Sequence, residues 1–401
     1  MIKRNIEPFF VDLVKSYPIV TVTGPRQSGK TTLCRKVFPD KPYANLEAPD
    51  TRRFATDDPR GFLTLFPDGG ILDEIQRVPD LTSYIQPIVD NRNTAGQFIL
   101  TGSQQFEVMN TTSQSLAGRT ALLKLLPLSI SELQPDYLPK TCDALIRNGF
   151  YPRIYDQHLD PNKAMGDYFE TYVERDLRQL ISLKDIGIFE KFVRLCAGRI
   201  GQILNLQSLG NDVGVSHSTA RTWITLLEAS YVVFLLKPWY GNISKRLIKS
   251  PKLYFYDVGL ASFLLGLETE NQVSRDPLRG HLFENLVVME ALKYRFNQGK
   301  INNLFFYRDS TGNEVDLIME NGRDIHAIDI KAGATINSDF VKGLKQFQKA
   351  AGSQCRIQSA ILYGGEQMQQ RQDVRIFPVW MCQELFDQLE CPSEGDRRSN
   401  Q

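Results

Sequence analysis

Cysteine and histidine, the residues of zinc centres and disulfide frameworks, are scarce in this sequence. Six cysteines and four histidines occur among 401 residues. No two cysteines form a CxxC pair, and no histidine stands at metal-ligand spacing from them. This usage argues against a zinc module and against a disulfide-stapled secreted domain. We therefore expect a reduced, cytoplasmic setting.

Long apolar runs and an excess of one charge are missing as well. The longest apolar runs, such as YVVFLL at 231–236, are far shorter than the roughly 20 residues that span a bilayer. Residues 1–18 also lack the uninterrupted apolar region of a leader peptide. Lysine and arginine together number 47 against 46 acidic residues, so bulk charge indicates no partner class. We expect no membrane partner.

The length of the chain predicts more than one domain. A single hydrophobic core rarely keeps growing beyond about 250–300 residues, and this chain has 401. Its hydrophobic content of 42% and charged content of 23% are those of an ordinary globular protein. Two or three domains are therefore expected.

A glycine-rich turn follows a β-branched run near the N-terminus. IVTVT at 19–23 predicts a strand buried on both faces. GPRQSGKT at 24–31 fits the pattern GxxxxGK[ST], and the next residues predict a helix. Such a loop wraps phosphates with its N–H groups, while its lysine reaches the outer phosphates and its hydroxyl binds Mg²⁺. We therefore predict that ATP binds here with Mg²⁺. The predicted nucleotide-binding residues are Gly24, Pro25, Arg26, Gln27, Ser28, Gly29, Lys30, Thr31 and Thr32.

Two further apolar runs end in polar residues that suit the same site. GGILDEIQRVPDL at 69–81 places Asp73 and Glu74 at a strand end. Asp73 is predicted to hold Mg²⁺ together with Thr31, and Glu74 to be the catalytic base that polarises water. GQFILTGSQQF at 96–106 predicts a third core strand, after which Ser103 or Gln104 would face the γ-phosphate. Of these two, Ser103 is the predicted sensor.

Two arginines are candidates for stabilising transition-state charge. Arg119 stands just before the apolar run that begins at residue 120, and it could act within its own chain or from a neighbouring copy in a homo-oligomer. A solvated surface charge is the alternative. Arg175 lies in the amphipathic segment 165–183, where a solvated helix face is the favoured interpretation over a second sensor.

Four segments, in this order and at this spacing, closely resemble bacterial and archaeal AAA-type ATPases that carry a C-terminal domain of unknown function. The segments are TGPRQSGKTTL, GGILDEIQRVPDL, FILTGSQ and LAGRTALLKLLPLSISEL. The resemblance covers nearly the whole chain. It implies a P-loop sheet with an additional strand, a catalytic glutamate at Glu74 and an arginine finger or sensor at Arg119.

The middle of the chain has the form of a helix-turn-helix followed by a hairpin. LQSLGNDV predicts a short helix, Gly214 lies in the turn, and HSTARTWITLLEAS predicts a second helix. Its exposed face is expected to carry His217, Ser218 and Arg221. Trp223, Leu226, Leu227 and Val232 are the expected core residues of this predicted winged helix.

A basic segment follows that helix pair. KPWYGNISKRLIKSPK contains no acid, and its cations are Lys237, Lys245, Arg246, Lys249 and Lys252. A basic wing beside a recognition-like helix indicates contact with the phosphates of DNA or RNA. Winged helices also serve as lids and as docking sites for proteins, and the sequence leaves both interpretations open.

The last third carries acids and a lysine on three predicted elements. Glu284 lies in a helix at 280–296, Asp316 in a hairpin at 304–319, and Asp329 with Lys331 on one face of a strand at 325–333. Carboxylates with a lysine suit metal-assisted hydrolysis of phosphodiesters. Retention of these residues for packing or for binding a partner is the alternative.

The order Glu284, Asp316, Asp329 and Lys331 resembles the restriction-endonuclease-like superfamily, to which the C-terminal domain of the ATPase family is similar. The resemblance implies a Mg²⁺ site formed by the two aspartates, with Glu284 as a further ligand and Lys331 orienting water. The family often has glutamate where this chain has Asp329, which shortens the ligand arm.

Together these patterns predict an α/β protein of three parts. We expect an AAA-type ATPase domain at 1–150, a helical and winged-helix domain at 151–270, a nuclease-like domain at 271–391 and a disordered tail at 392–401. The predicted function is ATP-driven action on nucleic acid. The alternative is an ATP-dependent switch whose C-terminal domain binds a protein partner and cuts nothing.

Overall fold

The computed structural model describes residues 2–92, 94–103, 116–133, 135–174, 186–240, 250–335, 341–351, 355–371 and 374–390. Among the sites predicted from sequence, Gln104, Arg175, the basic residues Lys245, Arg246 and Lys249, and the tail 392–401 lie outside these ranges.

The N-terminal part is built on a parallel sheet of five strands. They are β1 (Ile19–Thr23), β2 (Tyr43–Asn45), β3 (Gly70–Asp73), β4 (Phe98–Gly102) and β5 (Thr120–Lys124). The strand order is β2-β3-β4-β1-β5, and every neighbouring pair is parallel. All residues of β1, β3 and β4 are buried, as the apolar runs predict. The predicted α/β class is confirmed, and β4 is the additional strand between β1 and β3.

Helices cover this sheet and lead out of it. They are α1 (Glu7–Ser16), α2 (Lys30–Val37), α3 (Pro49–Asp57), α4 (Pro59–Leu63), α5 (Leu81–Arg92) and α6 (Ile130–Leu133), with a 3₁₀ turn at Ile75–Arg77. Because the five strands are parallel, their carboxyl ends meet at one edge of the sheet. Ligands of open α/β sheets bind at that edge.

The middle of the chain is helical. Its helices are α7 (Cys142–Asn148), α8 (Pro152–Asp156), α9 (Pro161–Tyr168), a π-helix at Phe169–Glu174, α10 (Ile186–Ala197), α11 (Leu206–Val213) and α12 (His217–Ala229). Gly214 ends α11 in a left-handed conformation with φ of 77°, and the Ser216 side chain caps α12. The predicted helix pair is therefore present, with His217, Ser218 and Arg221 exposed on α12.

The C-terminal part is built on a mixed sheet of eight strands. They are β6 (Val233–Pro238), β7 (Lys252–Phe255), β8 (Leu304–Arg308), β9 (Glu314–Asn321), β10 (Asp324–Lys331), β11 (Arg356–Tyr363), β12 (Gln369–Arg371) and β13 (Val374–Pro378). Their order is β12-β13-β11-β10-β9-β8-β6-β7. The accompanying helices are α13 (Val258–Leu264), α14 (Glu270–Arg275), α15 (Arg279–Asn297), α16 (Lys342–Ala351) and α17 (Cys382–Glu390), with a 3₁₀ turn at Val379–Met381.

The domain boundaries expected at residues 150 and 270 do not separate independent cores. The strand that follows the predicted helix pair, β6, extends the C-terminal sheet together with β7, because Lys237 and Pro238 pair in parallel with β8 and β7 pairs with β6. One continuous cluster of buried side chains runs from Leu126 to Leu389. The expected boundaries therefore cut through a shared sheet and a shared core.

Helix α15 runs through that shared core. Every residue from Leu282 to Phe296 is buried, including four charged ones, which require partners. None of the helices in the described ranges combines the length and the apolar composition needed to cross a bilayer.

Candidate nucleotide site and C-terminal carboxylate cluster

The predicted phosphate loop lies between the end of β1 and the start of α2. Gly24 and Gly29 have φ of 149° and 92°, which favour glycine. A Cβ atom on Gly24 would lie 2.0 Å from the Leu125 carbonyl oxygen, so only glycine fits there. The buried Ser28 hydroxyl has no hydrogen-bond partner in the part of the chain that the structure describes. This loop has the shape and the free donor that suit a phosphate.

The Lys30 side chain folds back onto this loop. Its Nζ donates to the carbonyl oxygens of Gly24 at 3.0 Å and Pro25 at 2.8 Å. Burial holds the pKa of Lys30 below its ordinary value. The carboxylates of Glu74 and Asp73 act in the opposite direction and offset only part of this effect. A cation held by carbonyl groups inside a phosphate loop is placed to meet an anionic ligand.

Asp73, the last residue of β3, is the meeting point of three hydroxyl groups. Thr31 Oγ1 lies 3.0 Å from both carboxylate oxygens, and Tyr43 donates to Oδ2 at 2.9 Å. Thr101 Oγ1 donates to Oδ1. Burial, together with Asp73, raises the pKa of Tyr43. Thr31 and Asp73, the predicted Mg²⁺ ligands, are therefore in contact. Both offer oxygen atoms, the ligands that Mg²⁺ prefers.

Glu74 adopts a left-handed backbone conformation directly after β3. Its φ is 58° and its ψ is 50°, which is uncommon for a residue with a side chain. Its Oε2 accepts hydrogen bonds from Gln76 Nε2 and, at 3.1 Å, from Ser103 Oγ. The predicted base and the predicted sensor thus contact each other.

A cavity of ≈ 440 Å³ joins the phosphate loop to two other parts of the chain. The loop side contributes Lys30, Thr31 and Glu74. Ile2 and Arg4 of the N-terminal segment line the cavity, and so do Pro152, Arg153 and Asp156 of α8 and its C-cap Gln157. The sequence indicated a nucleotide at the loop, but it did not indicate that α8 forms the other wall.

Arg4 ties the phosphate loop to the segment that leaves the sheet. Its Nη1 donates to the Ser28 carbonyl at 2.8 Å and its Nη2 to the Leu126 carbonyl at 2.7 Å. Its Nε lies 3.1 Å from Glu132 Oε1, and the side chains of this pair are 7% and 0% exposed. Sequence reasoning missed Arg4, because its partners lie more than twenty residues away.

Arg119 lies at the wrong edge of the sheet to act on this cavity. It precedes β5, and its carbonyl accepts the Ile19 amide at the start of β1, whereas the phosphate loop follows the other end of β1. A strand of five residues is roughly 16 Å long. The Arg119 guanidinium instead pairs with Asp90, Nη2 to Oδ2 at 2.8 Å. In this arrangement Arg119 does not reach the cavity of its own chain, and its role in stabilising transition-state charge, there or in a neighbouring copy, stays a prediction.

Lys252 is not available to nucleic acid, contrary to the expectation for the segment from Lys237 to Lys252. Its side chain is 3% exposed, and it pairs with Glu284 at 2.7 Å and with Glu314. Burial lowers the pKa of Lys252, but the neighbouring carboxylates, Glu284 foremost, raise it above its ordinary value. Lys237 is exposed on β6.

The four predicted C-terminal residues belong to one cluster. Lys331 Nζ lies 2.9 Å from Asp329 Oδ2 and 3.6 Å from Asp316 Oδ2. Glu284, on α15, forms the other side of the cluster. It pairs with Lys252, and its Oε1 accepts a hydrogen bond from the Tyr254 hydroxyl at 2.5 Å.

Glu314 completes the cluster and was not predicted. One oxygen each of Glu284, Glu314 and Asp316 lies within 4.8 Å of the other two, a spacing that suits a divalent cation. Glu314 lies two residues before Asp316 on β9, so both point to one face of the strand. That spacing was the signal in the sequence that could have identified it.

Asp316 and Asp329 hydrogen-bond to each other and titrate as a pair. Burial raises the pKa of Asp329 to about 8, and the neighbouring Asp316 carboxylate adds to the rise. Burial also acts to raise the pKa of Asp316, but Lys331, the hydrogen bond from Asp329 and the Ile330 amide hold it below its ordinary value. Asp329 therefore keeps its proton to a higher pH than Asp316 does.

Comparison with known families assigns three segments of the chain. Residues 16–134 match the family described as AAA domain. Residues 140–271 and 279–382 match two domains of unknown function, DUF8612 and DUF4143. The first match confirms the predicted AAA-type P-loop domain. The descriptions of the other two give no activity, so the winged helix and the nuclease-like domain stay predictions.

Curated relatives match over most of the chain. They include the uncharacterized protein Mb2031c of Mycobacterium bovis and the uncharacterized protein Rv2008c of Mycobacterium tuberculosis. Each is 32% identical over 356 residues, which are 87% of this chain and 77% of the relative. Among solved structures, a Walker-type ATPase of Pyrococcus abyssi is similar, with 12% identity and a TM-score of 0.43 over 66% of this chain and 96% of that protein.

Proposed function

Because this chain belongs to the family of the mycobacterial proteins Mb2031c and Rv2008c and carries an AAA domain at 16–134, we propose that it binds ATP with Mg²⁺ and hydrolyses it. The observation that carries the proposal is the contact of Thr31 with Asp73, together with the position of Thr31 and Glu74 on the wall of one cavity. A hydroxyl from the loop, a strand-end carboxylate and an adjacent glutamate are the groups that phosphoryl transfer to water requires.

Each residue has a defined role in this reaction. Lys30 binds the outer phosphates by charge, and Ser28 together with the loop amides binds their oxygens. Thr31 and Asp73 hold Mg²⁺, which neutralises phosphate charge when bound. Glu74 accepts a proton from the water that attacks the γ-phosphorus, as the bond from that phosphorus to the β-phosphate oxygen of the leaving ADP breaks.

Titration with ATP tests the binding half of this proposal. Lys30→Ala removes a charge-assisted contact worth about 1.5–3 kcal/mol, so the Kd for ATP should rise roughly 10- to 100-fold. Lys15→Ala, at an exposed lysine of α1, is the matched control and should bind as the parent does. Equal ATP affinity of the Lys30 variant and the parent would contradict the assignment of the phosphate loop to the ATP-binding site.

A second candidate function rests on the C-terminal cluster. We propose that Glu284, Asp316 and Asp329 hold Mg²⁺ and that Lys331 orients water for cleavage of a phosphodiester in DNA or RNA. The observation in favour is that Lys331 contacts both aspartates while Glu284 and Glu314 lie across from them. These oxygen donors suit Mg²⁺ or Mn²⁺, and such a metal activates water and stabilises the charge of the leaving oxygen. A switch that binds a protein partner through this domain is the alternative.

Incubation with single- and double-stranded DNA and RNA separates these two functions. Cleavage should require Mg²⁺ or Mn²⁺, vanish in Asp316→Ala and persist in Asp136→Ala, a change at an exposed aspartate. ATP hydrolysis should persist in both variants, which shows that the fold is intact. Intact nucleic acid under all of these conditions favours the partner-binding switch.

A further inference from the structure

Gln76 lies beside the proposed catalytic base and has no role in the assignments above. It belongs to the 3₁₀ turn Ile75–Arg77 that follows β3. Its Nε2 donates to Glu74 Oε2 and lies 3.4 Å from Ser103 Oγ, which donates to the same Oε2. Two donors therefore converge on one carboxylate oxygen. The other oxygen, Oε1, is left for the proton of the attacking water.

The backbone holds Glu74 in the conformation that permits this contact. The left-handed φ of 58° at Glu74 persists only where the surroundings enforce it, and such residues cluster at functional sites. Here the Glu74 amide donates to Thr101 Oγ1 at 3.2 Å, and its carbonyl accepts the Arg77 amide at 2.9 Å. The turn folds back, so that Gln76 reaches the glutamate two residues before it.

The carboxamide of Gln76 is arranged for Glu74 rather than for general packing. Its Oε1 is buried and has no hydrogen-bond partner in the described part of the chain. A buried acceptor without a donor is costly. The Gln76 carboxamide nevertheless keeps this orientation, in which its Nε2 donates to the Glu74 carboxylate. Glu74 lines the nucleotide cavity, whereas Gln76 is not among the residues of its wall.

We propose that Gln76 is a positioning residue for ATP hydrolysis. Together with Ser103 it fixes Oε2 of Glu74, so that Oε1 accepts one proton from water. At the same time the new bond from the water oxygen to the γ-phosphorus forms, and the bond to the leaving ADP breaks. Gln76 itself touches neither ATP nor water. This inference rests on the proposed function, because it assigns a partner to the base of that reaction.

Steady-state ATP hydrolysis by the full chain tests the inference. Gln76→Ala should lower kcat about 10- to 100-fold, the order expected for a misplaced general base, and leave the KM and the Kd for ATP unchanged. Gln76→Met keeps the side-chain length without the donor and should lose as much, which covers the case that the alanine variant folds poorly. Gln207→Ala, at an exposed glutamine of α11, is the control and should keep the parent rate.

A double substitution distinguishes action through Glu74 from an independent or structural role. If Gln76 acts only on Glu74, adding Gln76→Ala to Glu74→Gln should lower the residual rate no further. A full second loss in that background overturns the proposal, and so does a rise in the ATP Kd that matches the fall in kcat. If the parent hydrolyses ATP, Glu74→Gln loses this activity and Gln76→Ala keeps it, then this inference is overturned and the proposed function stands. A parent protein without any ATP hydrolysis overturns both proposals.

Discussion

Thr31 Oγ1 lies 3.0 Å from each carboxylate oxygen of Asp73. The contact joins the first turn of the helix after the phosphate loop to the end of β3, across the additional strand β4. Thr31 lines the nucleotide cavity, and Asp73 lies directly behind it, so the two side chains form one oxygen-rich corner beside the cavity. A divalent cation at that corner would contact the hydroxyl and the carboxylate at once.

We expect this corner to make ATP binding depend on Mg²⁺. Asp73→Asn removes the negative charge but keeps the size and one oxygen, so the gain in ATP affinity on adding Mg²⁺ should fall about tenfold or more. Binding in EDTA should stay close to that of the parent. Calorimetric titrations with Mg²⁺ and with EDTA measure both quantities. The same Mg²⁺ dependence in variant and parent would contradict the assignment of Asp73.

The buried pair of Arg4 and Glu132 should contribute strongly to stability. Arg4→Ala leaves the Glu132 carboxylate buried without its cation, which costs about 3–5 kcal/mol in comparable cases. Urea unfolding should show this loss directly. Lys3→Ala, at the exposed neighbour, should change the free energy of unfolding by less than about 0.5 kcal/mol. Equal stability of the two variants would contradict the buried pairing.

The proton on Asp329 should make stability depend on pH. Its pKa of about 8 in the folded protein exceeds the ordinary value of about 3.9 for an unfolded aspartate. The folded state therefore binds more protons than the unfolded state between these values. The free energy of unfolding should fall as pH rises from about 4 to about 8. In EDTA, Asp329→Asn should flatten this slope, and an unchanged slope would contradict the raised pKa of Asp329.

The sequence alone is enough to bring candidate residues together where the chemistry is local. Lys30 and Thr31 are specified by the spacing of one loop, and Asp73 and Glu74 by the end of one apolar run. Parallel strands bring those two places to the same edge, so their meeting follows from the fold class. Even Arg119 could have been placed, because a residue before a parallel strand lies at the opposite edge from a loop that follows one.

Contacts between distant parts of the chain could not be predicted in this way. Arg4 pairs with Glu132, 128 residues further on. Lys252 lies in a basic segment that predicts a surface cation. Its partners, however, are Glu284 on a helix and Glu314 on another strand, both distant in the sequence. The contact of Gln76 with Glu74 could not be predicted for a different reason. It depends on the left-handed backbone of Glu74, a conformation that the residue types do not predict.

Single-turnover hydrolysis of ATP by the parent and by Glu74→Gln, with protein and Mg²⁺ in saturating excess over ATP, tests the central claim most directly. The account predicts that the variant binds ATP with the affinity of the parent but hydrolyses it about 100- to 10,000-fold more slowly, the usual contribution of a general base. Near-parent turnover in Glu74→Gln would contradict the account, since the water would then be activated elsewhere.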